Sequence, residues 1–172
     1  MDNPSKFINI THGYLTFEQA YEKILLFIQK DVRAPYLLSI GTDSHVYQQE
    51  TKFMTAVHLH RVGKGAWGCV RPYIVNRAIR SLHEKISLET ALSQEIAMLF
   101  TMEKLEKIQN LLLPHLEHGA DFHFEIHLDI GQNGATKDFI QEMTGRITAM
   151  GLDAKIKPDA YTAFCYANRY TK

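Results

Sequence analysis

Three aspartates stand where an apolar run gives way to a turn: Asp43 in "YLLSIGTDSHVYQQ" (36–49), Asp129 in "DFHFEIHLDIG" (121–131) and Asp159 in "KPDAYTA" (157–163). A carboxylate leaving a buried strand is costly unless a cation or a ring of backbone N–H groups meets it. Each has a simple explanation when taken alone. Asp159 is a good helix N-cap, Asp43 could form an Asx-turn beside Gly41, and Asp129 could merely end a strand before Gly131. Gathered at one end of a sheet they would repel one another. The usual resolution is a hard divalent cation held by oxygen ligands. A fourth carboxylate joins them by helical phase. Glu95 falls in the stripe of Leu88, Leu92, Leu99 and Met102, and a glutamate on a buried helix face needs either a basic partner or that same cation. Glu89 reads instead as a first-turn residue that gains from the helix dipole.

The elements that must position these residues follow from periodicity. Thr16 and Gln19 form a capping-box pattern ahead of a first helix that ends before Pro35. Residues 36–43 read as a strand, "TKFMTAVHLHRV" (51–62) as a second, and "AWGCVRPYIV" (66–75) as a third, an antiparallel meander with Pro72 marking an edge or a bulge. Ser87 is the predicted cap of one long helix running to Pro114. "DFHFEIHLDIG" alternates strictly, with Phe122, Phe124, Ile126, Leu128 and Ile130 on one face and His123, Glu125, His127 and Asp129 on the other. A helix capped by Thr136 and closed at Gly151 follows, then a short strand in "LDAKIK" and a last helix begun by Pro158 and Asp159. The expected order is α-βββ-α-β-α-β-α. It forms an α/β fold with a mixed sheet of five strands, three antiparallel and two parallel, flanked by helices.

With 172 residues, 45% hydrophobic and 22% charged, the chain has the size and composition of one globular domain. The first 35 residues are expected to be a helical extension of it. No apolar run reaches the ~20 residues that span a bilayer, and no signal-peptide pattern opens the chain, so a cytoplasmic protein is expected. Cys69 and Cys165 read as reduced thiols rather than as a disulfide framework. Nineteen basic residues balance nineteen acidic ones, which removes any global attraction for a polyanion. The local exception is residues 61–85, where Arg61, Lys64, Arg71, Arg77, Arg80 and Lys85 face a single Glu84. That stretch is either a solvated hairpin and connection or a surface for nucleic acid backbone.

The order of elements, with "IGTDSHV", "LDIGQNGATK" and "KPDAYTA", resembles the ribonuclease H-like superfamily and its uncharacterised bacterial YkuK-like branch. The resemblance covers about residues 36–172. It implies metal-binding carboxylates on the first strand, first core helix, fourth strand and last helix, the places of Asp43, Glu95, Asp129 and Asp159. It also implies hydrolysis of a nucleic acid phosphodiester with Mg²⁺ or Mn²⁺, an all-oxygen site suiting either ion. Asn168, further along the last helix, would be a weaker ligand than a carboxylate. His45 and His127 each lie two residues from an aspartate and would either move a proton or simply pair with it. Lys157, Arg71, Arg77 and Arg80 are the candidate phosphate contacts, and the "GQNGAT" turn offers backbone N–H groups near Asp129. Two other readings stay open, a silent binding module on the same scaffold and a phosphohydrolase of small nucleotides.

Overall fold

The computed structural model describes residues 6–162. Its centre is the expected meander: β3 (Pro35–Val46), β4 (Thr51–Arg61) and β5 (Ala66–Val75) pair antiparallel, and β6 (Asp121–His127) lies parallel to β3. β7 (Asp153–Lys155) continues parallel to β6. The sheet has seven strands rather than five, because the first residues also join it. β1 (Phe7–Asn9) and β2 (Gly13–Leu15) form a hairpin that pairs through Ile8 with Val70 of β5, giving the order β2-β1-β5-β4-β3-β6-β7. The N-terminal part is thus a hairpin plus helix α1 (Phe17–Gln29), not a helix alone. Three-residue strands on either side of "ITH" (10–12) carry too little periodicity to be told from loop. Thr16 does cap α1 through the expected reciprocal bonds with Gln19.

Strand alternation divides the sheet into two faces. Leu38, Ile40, Val57, Leu59 and Ile126 point to the face carrying α1, α2 (Leu82–Leu99), α3 (Met102–Leu112) and α4 (Ile140–Thr148), and with Ile24, Ile96, Ile108 and Ile147 they make the main core. Ser39, Met54, Ala56, Val70 and His127 point the other way, where Met54, Ala56 and Val70 form a small apolar cluster against Ile8.

The long helix is two helices. Phe100 leaves helical geometry at φ −81°, ψ 79°, and Thr101 caps α3 by accepting a bond from Lys104 N–H. The break buries Phe100 edge-on against Phe17 (5.0 Å between centroids), and no proline or glycine announces it. The start also differs: Ser81, not Ser87, caps α2 by accepting from Glu84 N–H. Thr136 precedes a short 3₁₀ turn (Lys137–Phe139), and its hydroxyl accepts from Gly131 N–H instead of capping the helix. No helix among the described residues is long and apolar enough to cross a membrane. The expected start of the last helix, Pro158 and Asp159, is a turn, and the rest of that expectation, with Cys165 and Asn168, lies outside the described residues.

Candidate functional site

The parallel register of β3 and β6 runs from Pro35↔Asp121 to Gly41↔His127. Asp43 and Asp129 each come two residues later, so both carboxylates leave on the same face. β3 does not end at Asp43 as expected but runs on to Val46 against β4, so Asp43 lies inside it, just past the last pair with β6, and Asp129 lies just beyond β6. The tip of β3 is fixed from the other face: the Thr42 hydroxyl is 2.9 Å from that of Thr55 and 2.7 Å from that of Ser93 on α2. Asp43 is half-buried, and its Oδ1 accepts from Ser44 N–H at 2.8 Å. Burial holds its pKa above the usual carboxylate value, and the negative charge of Asp129 adds to the rise. The Ser44 bond and the positive charges of Lys85 and Lys157 offset part of it.

The helix carboxylate that shares this field is Glu89. It is 7% exposed, and its Oε1 accepts from Ser44 Oγ at 2.5 Å. Burial pushes its pKa up to about 7, with Asp43 and Asp129 pushing the same way and Ser44 and Lys85 pulling back. A water-sized cavity of about 10 Å³ lies beside it, lined also by Thr42, Ser93 and Asp129. Glu95 is placed elsewhere: its side chain is 60% exposed and accepts from Arg71 Nη1 at 3.1 Å. The buried residues of α2 are Ile86, Glu89, Thr90, Leu92, Ser93, Ile96 and Ala97; of the expected stripe only Leu92 is among them, while Met102 is 75% exposed and begins the next helix. With Ser81 as cap, Glu89 lies beyond the first turn, where the dipole no longer accounts for a buried carboxylate.

Asp129 is met by Lys157 Nζ at 2.7 Å, a partly exposed pair. Asp159 is exposed in the turn after β7, its N–H bonded to Ile156 O. With Lys157, Gly131, Gln132 and Asn133 it lines an open recess of about 490 Å³. His45 is exposed, its ring tilted against that of Tyr47. His127 is buried and both ring nitrogens are engaged. Nε2 donates to Glu125 Oε2 at 3.0 Å, while Nδ1 accepts from Tyr161 and Thr162 N–H and lies 2.9 Å from the Thr162 hydroxyl. That hydroxyl also meets Ser39 Oγ at 2.5 Å. His127 therefore seats the chain after Asp159 onto the sheet. Burial holds its pKa below the ordinary value despite Glu125.

Of the candidate phosphate contacts, Arg71 is buried against Glu95, and Arg77 pairs with Glu84. Arg80 is exposed and makes no ion pair among the described residues. Lys85, named above only as part of the basic segment 61–85, acts on both Asp43 and Glu89 from the first turn of α2. Its signal was present, one helical turn before Glu89, but only once that glutamate is recognised.

Among the described residues no three His, Cys, Asp or Glu side chains stand close enough to hold a metal ion as they are. Glu89 is turned to Ser44 and Asp129 to Lys157. The donor chemistry nevertheless fits a hard divalent cation: the side chains that share this field offer oxygens, and burial with mutual repulsion disfavours the charged form of Asp43 and Glu89, which a cation would restore.

A family model described as "Ribonuclease H-like" matches residues 19–172. A protein of Bacillus subtilis (strain 168), "Uncharacterized protein YkuK", is 60% identical over 166 residues, covering 96% of each chain. No solved structure matches the chain.

Proposed function

The chain belongs to the ribonuclease H-like family, and from that premise we propose that it is a divalent-metal-dependent nuclease that hydrolyses a nucleic acid phosphodiester. The supporting observation is the shared field of Asp43, Glu89 and Asp129 where the parallel pairing of β3 and β6 stops, with burial and mutual repulsion raising the pKa of Asp43 and Glu89.

In this reading Asp43, Glu89 and Asp129 hold Mg²⁺ or Mn²⁺, with Asp159 contributing from the turn across the recess. Glu89 takes the helix position that the spacing had assigned to Glu95. The bound ions supply a water of lowered pKa and a counter-charge for the leaving oxygen. Ser44 orients Glu89, and Thr42 with Ser93 holds the β3 tip in place. Lys85 and Lys157 meet substrate phosphate, and Arg80 adds a backbone contact that carries no sequence information. His127 acts as a positioning residue for the segment carrying Asp159.

The test is cleavage of labelled RNA, DNA and hybrid duplexes with Mg²⁺ or Mn²⁺. Asp43→Asn and Glu89→Gln should each lower the rate by about 100-fold or more, as loss of metal-site groups commonly does. Glu95→Gln should retain it. Absence of metal-dependent cleavage on every substrate overturns the proposal.

A second reading, a nucleic-acid-binding scaffold without turnover, is favoured by one observation: Lys157 already neutralises Asp129. Calorimetric titration with Mn²⁺ separates the two, since the scaffold has no need of the ion.

A further inference from the structure

The face that carries Asp43 continues one step outward. His45 pairs with Lys52, and Lys52 with Ile74, so these side chains form a row across β3, β4 and β5 next to the row of Asp43, Met54 and Pro72. Same-face residues of a strand are ~7 Å apart, which sets the distance between the rows. His45 is exposed, Ile74 is 48% exposed, and the Lys52 side chain is 43% accessible. Tyr47 extends the row: its ring centroid is 4.6 Å from that of His45, tilted by 53°, and Lys52 Nζ lies 5.2 Å from it. The turn is closed by Tyr47 N–H donating to Glu50 O at 2.8 Å. Beyond it opens a recess of about 820 Å³, lined by Tyr47, Gln48, Gln49, Glu50 and Asn76.

This chemistry suits a nucleobase. An aromatic ring offers a stacking partner to any base, and the side-chain amides of Gln48, Gln49 and Asn76 offer both donors and acceptors to a base edge. In a duplex the base faces are covered by their neighbours, so only an unpaired base can use the Tyr47 ring. Lys52 meets Glu50 at 3.2 Å, which leaves the turn itself close to neutral. The attraction for a polyanion comes from Arg80 and Lys85, which follow β5 at this same end of the sheet.

Resting on the nuclease reading, we infer that the β3–β4 turn seats an unpaired base of a single-stranded nucleic acid whose backbone runs past Lys52 to Asp43. The substrate is thereby a single strand, or the frayed end of a duplex, rather than an intact helix. The aromatic pair sets where along the strand the scissile phosphate falls.

The test uses the full chain with Asp43→Asn to stop turnover, and reads the fluorescence anisotropy of a short labelled oligonucleotide, single-stranded or annealed to its complement. The single strand should bind more tightly than the duplex at the same salt. Tyr47→Ala should weaken single-strand binding roughly tenfold or more, the loss expected for one stacked base. Tyr47→Phe, which keeps the ring, should restore it. Equal affinity for duplex, an unaffected Tyr47→Ala, or no binding of any oligonucleotide overturns the inference. The nuclease reading fails separately: it falls alone if binding behaves as described and the unmutated site never cleaves. The base seat falls alone if cleavage is metal-dependent while Tyr47→Ala leaves the KM for single strands unchanged.

Discussion

Ser44 Oγ donates to Glu89 Oε1 across 2.5 Å, tying the tip of β3 to the third turn of α2. Glu89 is almost fully buried, and its pKa is pushed up to about 7. Between the unfolded value and about 7 the folded protein keeps a proton that the unfolded chain has lost. Stability should therefore fall as pH rises from about 4.5 to 7, by on the order of 3 kcal/mol from this group. In urea midpoints measured across that range, Glu89→Gln should remove this contribution. A variant whose midpoint follows pH just as the wild type's does would show that Glu89 is ionised throughout.

The pair Arg71–Glu95 gives a contrasting outcome. Arg71 is 6% exposed, and its guanidinium is met by an exposed carboxylate. Glu95→Ala leaves a buried cation without its anion; because Glu95 is largely solvated, the cost should be about 1–2 kcal/mol, below that of a fully buried pair. Turnover should survive. A thermal melt and a cleavage assay on Glu95→Ala and Glu89→Gln should thus diverge, the first losing stability and the second losing activity. Loss of activity in both would put Glu95 back in the site.

That exchange of glutamates shows how far the sequence could be read. Strands β3 to β6 were legible because their apolar positions alternate and their turns are marked, and register then carried Asp43 beside Asp129. The phase of α2 was not legible. Its buried stripe contains Thr90 and Ser93, small polar residues that bond the sheet, while Leu88 and Leu99 are only partly buried. Choosing leucines as the inner face rotated the helix and placed the cap at Ser87. The β1–β2 hairpin was hidden for another reason: it is held by its pairing to β5, a tertiary contact with no local pattern.

Acid should act on the opposite group. His58 is 8% exposed, and burial lowers its pKa to about 4, with His60 and His127 adding to the effect. Here the unfolded chain takes up the proton first. The stabilising contribution is complete above about 6.5 and is lost as pH falls towards 4. This window overlaps that of Glu89 with the reverse sign, so the wild-type curve should be flatter than either contribution alone. His58→Phe should expose the Glu89 slope and Glu89→Gln the His58 slope. Parallel curves for the two variants would refute both assignments.

Lys157 decides what holds Asp129. Its Nζ is 2.7 Å from Oδ1 in a pair that solvent reaches from both sides, worth ~1 kcal/mol or less. A divalent ion must displace this contact to engage Asp129, so the lysine competes with the metal in the absence of substrate. Lys157→Met should then tighten Mn²⁺ binding by up to about fivefold in a calorimetric titration, the equivalent of that energy. The same change should raise KM for a phosphodiester, because a cation facing the substrate phosphate is lost. Weaker Mn²⁺ binding in Lys157→Met would mean that the lysine supports the carboxylates rather than competing for them. An unchanged titration would mean that Asp129 is not a ligand, leaving Asp43 and Glu89 to hold the ion.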